Sequence, residues 1–271
     1  MKSITSRDNP LYKELKQLAT SSQARRKSGR TLLDGVHLCE AYWQHLGAPH
    51  MCIVAESSAG HHEVSSILAL CEAESAKSTA AAEATEVQCI CLPDALYHAL
   101  SQVEHGVGIM FVVATPQAMT PEVLQESAVM LDNLQDPGNL GSILRSAAAA
   151  GIRHVFCSPG TAFAWSPKVM RAGMGAHFLL NIVENADLHH LISHAAIPVL
   201  ATSSHTTQTI YQAQLNRPVA WLFGHEGQGV ADDLMALATE AVTIPQRPEI
   251  ESLNVAASAA ICFFEQVRQS L

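Results

Sequence analysis

From residue 128 onward the chain alternates short apolar runs with helical stretches, and this alternation constrains the fold more than any single residue does. Strands are predicted at 128–131, 154–157, 179–183, 198–202, 218–223 and 241–244. One helix is predicted to follow Asn139 and to stop at Gly151, a residue type that suits helix ends. Ser166 before Pro167 opens another, a cap followed by proline at the first turn. Further helices are predicted at 188–195 and 232–237, and a last one from near Ser252. Strands separated by helices favour a parallel sheet covered on both faces. In such α/β sheets ligands bind beyond the carboxyl ends of the strands.

The first half reads as a second α/β domain. Leu11, Leu15 and Leu18 recur at helical spacing, and a basic turn follows them. Strands are predicted at 31–33, 51–55, 88–92 and 107–114, with helices at 36–46, 64–84 and 93–102. Pro116 and Pro121 mark a linker. The expected domains are therefore 1–117 and 122–271.

A chain of 271 residues with a net charge of −9 has no general attraction for nucleic acid. Its positive charge is concentrated, however. Lys2, Arg7, Lys13 and Lys16 lead to Arg25, Arg26, Lys27 and Arg30. That cluster is either an RNA-contact surface, with Arg7, Arg25, Arg26 and Lys27 as its members, or a solvated face. The seven cysteines are odd in number and form no CxxC pair, which suits reduced, mostly buried thiols. The N-terminus has no apolar signal-peptide core and no run reaches the length of a membrane span. A cytoplasmic chain with no membrane partner is expected.

Three predicted strand ends carry unusual polar loops. The first, 132–141, leads into the helix bearing Arg145. Asn139 there is either only a cap, with Arg145 paired to a surface acid, or both reach one strand edge. The second, 223–229 (FGHEGQG), has three glycines that permit close backbone approach, with Glu226 among them. It matches neither GxGxxG nor the GxxxxGK[ST] phosphate loop. The third runs from Ile244 through Pro245 and Pro248 to Ser252 and Asn254, before a helix rich in alanine. Ser and Asn are favoured caps, so this pair is a cap or half of a binding site. His189, His190 and His194 include an i, i+4 pair, but no third ligand is placed nearby. They read as solvent-facing histidines, and no metal site is expected. No GxSxG elbow is present.

Together the loops resemble a known family. Residues 132–145 (DNLQDPGNLGSILR) are similar to motif 1 of the SpoU (TrmH) family of SPOUT RNA methyltransferases. Residues 222–229 (LFGHEGQG) resemble its motif 2, and 244–255 its motif 3, in the same order. Residues 166–176 resemble another stretch of these enzymes. The segment 6–10 and the Arg25-Arg26 region resemble their L30e-like substrate-binding domain. The resemblance implies a C-terminal domain with a deep trefoil knot, a homodimer with the site at its interface, and S-adenosylmethionine as cofactor. The implied reaction is methyl transfer to a ribose 2′-OH of rRNA or tRNA, with rRNA favoured. By position, it assigns Asn139, Arg145, Glu226, Ser252 and Asn254 to the active site. It assigns Thr202, Leu222, Gly224, Ile244 and Leu253 to the cofactor. Two departures stand out: His225 where relatives often carry a small residue, and Gln246-Arg247-Pro248 where many carry Met and Gly.

Two other readings compete. One is a non-catalytic RNA-binding or ribosome-assembly factor that keeps the fold, although every matched polar position is present. The other is an ordinary Rossmann-type nucleotide enzyme, against which the missing glycine fingerprint counts.

Overall fold

The computed structural model describes residues 1–78, 87–103 and 106–271. The chain divides into two compact units. One comprises Met1–Pro116 and takes in Trp165–Arg171; the other comprises Gln117–Ala164 and Ala172–Leu271.

The first unit contains β1 (Lys2–Ser3), α1 (Pro10–Thr20), α2 (Ser22–Ser28), β2 (Arg30–Asp34), α3 (Val36–Leu46), β3 (Met51–Ala55), α4 (His62–Ser78), β4 (Gln88–Leu92), α5 (Asp94–Leu100) and β5 (Ile109–Ala114). The tail of the helix expected over 64–84 lies outside the described residues. The five strands form one mixed sheet, in the order β1-β4-β3-β5-β2. β3 is parallel to β4 and antiparallel to β5, which is also antiparallel to β2. Helix α1 starts where Asn9 Oδ1 accepts from Leu11 N at 2.9 Å, with Pro10 in the first turn. Its stripe of Tyr12, Leu15, Leu18 and Ala19 is buried.

Where a basic turn was expected, the chain forms α2. Ser21 Oγ caps it at Ala24 N, and Gly29 ends it in the left-handed conformation, φ 61°. This corrects the assignment of Arg25 to the RNA surface. Arg25 is only 5% exposed, and its Nη1 donates to Leu18 O at 2.6 Å and to Ala19 O at 3.3 Å. Its guanidinium satisfies the last carbonyls of α1, groups that a helix cannot satisfy itself. Burial lowers its pKa. Arg7, Arg26 and Lys27 are exposed. Lys13 pairs with Asp8 at 3.0 Å and Arg30 with Glu14 at 2.9 Å, so part of the basic cluster is already neutralised.

The second unit contains β6 (Ala128–Leu131), α6 (Pro137–Ala149), β7 (His154–Cys157), α7 (Pro167–Gly173, shared with the first unit), β8 (Asn181–Glu184), α8 (Leu188–Ser193), β9 (Val199–Thr202), β10 (Ala220–Phe223), α9 (Asp232–Leu237), β11 (Glu240–Val242) and α10 (Val255–Ser270). All six strands are parallel, in the order β11-β9-β10-β6-β7-β8. Alternate residues face opposite sides, as strand geometry requires. Ala128, Met130, Ala220 and Leu222 pack with Leu188, Leu191, Ile192 and Leu234 of α8 and α9. On the other side Phe223 meets Phe263 of α10 edge-on at 5.7 Å, and Trp221 Nε1 donates to Gln266 Oε1 at 2.9 Å. The sheet is thus covered on both faces, as the alternation predicts. The strand order reverses at β6, since β7 and β8 lie on one side and β10, β9 and β11 on the other. That reversal is the point in an open parallel sheet where a crevice forms.

The seven cysteines form no disulfide, and five are buried. Among the described residues no helix is long and apolar enough to cross a membrane.

Candidate active site

Because all six strands are parallel, their carboxyl ends share one edge. The three polar loops leave that edge from β6, β10 and β11. Asp136, not Asn139, caps α6: its Oδ1 accepts from Asn139 N at 2.7 Å, and Pro137 occupies the first turn. Asn139 is therefore inside the first turn with its side chain free of capping. The last helix begins at Val255 and not near Ser252. Its cap is Asn254, whose Oδ1 accepts from Ala256 N at 3.0 Å and Ala257 N at 3.1 Å.

Glu226 joins the loops. Its carboxylate accepts from Gln135 N at 3.2 Å, Asp136 N at 2.9 Å and Asn139 Nδ2 at 3.2 Å. Asn139 Oδ1 in turn accepts from Asn254 Nδ2 at 2.9 Å. One hydrogen-bonded chain thus runs from α10 through α6 to the loop after β10. Partial burial pushes the Glu226 carboxyl up. Donation from Asp136 N, its own backbone, Asn139 and Gln135 N outweighs that and holds it below the usual carboxylate range.

The loop after β10 is tightly folded. His225 and Gly229 bond to each other in both directions, N–H to O, at 2.9 Å. Gly229 has φ +73°, and a Cβ on Gly224 would lie 2.0 Å from the carbonyl carbon of Gly229. Glycine is required at 224 because the chain doubles back onto it. Asp132, which the sequence reading did not single out, holds the loop's far end: its Oδ2 accepts from Ala231 N at 3.0 Å. Its position as the first residue of that loop, directly after β6, was the available signal.

Among the residues expected at the cofactor, Thr202 ends β9 beside Leu222 of β10, its Oγ1 donates to Leu222 O at 3.3 Å, and Gly224 directly follows β10. Ile244 is half-buried just past β11, and Leu253 is exposed before the cap. None of the five is basic. That set fits a nucleoside without phosphates better than a nucleotide.

Arg145 and Ser252 are not part of the Glu226–Asn139–Asn254 chain. Arg145 is exposed, and its side chain has no hydrogen-bond or ion-pair partner among the described residues. Six helical positions place it about 120° around α6 from Asn139 and about 9 Å further along. Ser252 is exposed in the loop before α10. His189 Nε2 bonds to Asp233 Oδ2 at 2.7 Å, and His194 Nδ1 to His190 O at 2.9 Å.

A parallel sheet whose carboxyl edge gathers three cross-linked polar loops, without a glycine fingerprint, defines an α/β ligand-binding protein outside the ordinary Rossmann class. Residues 126–264 match the SpoU rRNA methylase family. The chain is 32% identical over 272 residues to the uncharacterized tRNA/rRNA methyltransferase slr1673 of Synechocystis sp., covering 98% of this chain and 94% of that one. It is 28% identical to the 23S rRNA (guanosine(2553)-2′-O)-methyltransferase RlmP of Bacillus subtilis, over 97% of this chain and 98% of that one. The fold matches that of an AdoMet-bound rRNA methyltransferase from Sinorhizobium meliloti with a TM-score of 0.84 at 22% identity, covering 100% and 98% of the two chains. The chain belongs to the SpoU rRNA methylase family.

Proposed function

We infer that this protein transfers the methyl group of S-adenosylmethionine to a ribose 2′-OH of RNA, with ribosomal RNA favoured. The observation that carries this reading is the hydrogen-bonded chain Glu226–Asn139–Asn254, which ties all three family motifs together at the carboxyl edge of the sheet. Similarity to an rRNA 2′-O-methyltransferase over nearly the whole of both chains supports it.

Thr202, Leu222, Gly224, Ile244 and Leu253 would hold the cofactor's nucleoside through strand-end backbone and apolar side chains. When bound, that group supplies an electrophilic sulfonium methyl. The protein's work is then mostly positioning of the 2′-oxygen. Asn139 and Asn254, fixed by Glu226, order the loops around it. A guanidinium is very hard to deprotonate, so Arg145 serves as an electrostatic and phosphate-orienting group and not as a base. Ser252, exposed two residues before Asn254, is assigned to the ribose by its place in the third motif.

The working form is a cytoplasmic homodimer. Leu253, Ile261 and Phe264, exposed along and just before α10, supply an apolar strip for a second copy. The first unit serves as the L30e-like RNA-binding domain, with Arg7, Arg26 and Lys27 as phosphate contacts. The second carries the trefoil knot of its family. Incubation with labelled S-adenosylmethionine and total RNA from a strain lacking the gene tests the reading. Label in one ribose 2′-O-methylated rRNA nucleotide is expected; absence of label from every RNA would overturn it.

A further inference from the structure

His225, one of the two departures from the family pattern, has a defined task in the loop after β10. Its Nδ1 accepts from Gly227 N at 2.9 Å and from Gln228 N at 3.3 Å. A ring nitrogen accepts only when it carries no proton, so these two bonds require Nδ1 to be bare. The main chain of the same residue bonds twice to Gly229. Residues 225–229 therefore close on themselves, and the ring of His225 fastens the two amides inside that closure. Glu226 is the residue directly after this anchor. Its backbone is pinned on both sides, and from there its carboxylate reaches Gln135 N, Asp136 N and Asn139.

We propose that His225 is a positioning residue, whose unprotonated Nδ1 holds the turn that presents Glu226 to the start of α6. This rests on the methyltransferase reading for its consequence but not for its geometry. A ring without an acceptor leaves the Gly227 and Gln228 amides without an internal partner and lets the turn open. Asn at 225 restores the acceptor, because its side-chain oxygen bonds an amide two residues on.

Two variants of the full-length chain separate acceptor from volume: His225→Phe and His225→Asn. Two readouts separate the brace from the chemistry. The first is the NMR titration of the Glu226 carboxyl, which lies below the usual range when Asp136, Asn139 and Gln135 donate to it. The second is methyl transfer from tritiated S-adenosylmethionine to rRNA. In His225→Phe the Glu226 titration is expected to move up and kcat to fall about 10- to 100-fold, with KM for RNA within about twofold. His225→Asn is expected to restore both. An unmoved Glu226 titration in His225→Phe overturns the proposal. So does an unchanged kcat once that titration has moved, or a His225→Asn variant as impaired as His225→Phe. A wild type that transfers no methyl group, yet shows the expected titrations, supports the brace and overturns the methyltransferase reading instead.

Discussion

The two sheets use their polar residues in opposite ways. In the N-terminal unit strand directions are mixed, so strand ends are divided between two edges, and polar side chains tie one element end to another. Arg25 caps α1, and Asp34 at the end of β2 accepts from Ser101 Oγ at 2.7 Å and Gln102 N at 3.0 Å just beyond α5. In the C-terminal unit every strand points the same way. Loops far apart in sequence are delivered to one edge, where side chains bind across loops: Glu226 to Asn139 over 87 positions, and Asn139 to Asn254 over 115. Parallel strands bring polar residues of several loops to one shared edge.

The sharpest contrast lies in the buried ionisable groups. The pKa of Arg25 is lowered by burial, and its guanidinium donates to the backbone carbonyls of Leu18 and Ala19. His177, 1% exposed, is held neutral: burial pulls its pKa down to about 4, although its bond to Ala164 O works upward. An unfolded histidine takes its proton near ~6.5, so between that value and about 4 the unfolded chain binds more protons than the folded one. Stability of the C-terminal unit is therefore full above that window. It should fall by about 3 kcal/mol as pH drops through it. Urea melts across this range should show the loss, and His177→Asn should flatten it; equal slopes in the two proteins would refute the assignment.

Removing the shared anchor tests the other side of the contrast. Glu226→Ala should lower kcat by about 100-fold while RNA affinity changes less than about twofold. Since the carboxylate form is the one that accepts these bonds, and its pKa is lowered, this contribution persists through neutral pH and fades only in acid. A Glu226→Ala enzyme with full kcat would show that the cross-loop chain is only structural.

Next in size is a pair of adjacent changes expected to behave oppositely. Arg25→Ala should destabilise the N-terminal unit by about 2 kcal/mol, because it takes the donor from the Leu18 carbonyl at the end of α1 while Ala19 O keeps Gln102 Nε2. The double variant Arg26→Ala, Lys27→Ala should leave stability alone, weaken RNA binding and reduce its salt slope by about 2. If the double variant binds RNA as before, that surface is a solvated face.

The smallest effect separates capping from site assembly. Asn254→Ala should cost about 1 kcal/mol of stability through α10. Asn254→Asp keeps an oxygen for the cap and loses the donor to Asn139, so stability should hold while kcat falls.

Much of the architecture was legible in local pattern. Helices α3 and α9 and strands β3, β4, β6 and β7 fall on the predicted residues, because each is an apolar run closed by turn or cap residues. The two-residue β1 carries no pattern of its own and exists only by pairing with β4. Helix α2 was hidden by its charge, since Arg25 reads as surface until α2 is known to fold back on the end of α1. The starts of α6 and α10 shifted because several cap residues stood in a row, and side-chain bonds chose between them. The motifs were visible in order. The bonds among them were not, since they depend on which strands lie side by side.

Asn254 has one more consequence. Its oxygen takes two amides at the positive end of the α10 dipole, and its nitrogen donates to Asn139, which donates in turn to Glu226. Two primary amides thus point the same way in series, and each polarises the next. The partial charge of a helix end is conveyed to a carboxylate in another loop. Only a side chain that both accepts and donates can occupy either link. For that reason Asp, though it caps helices well, cannot substitute at position 254 without interrupting the series.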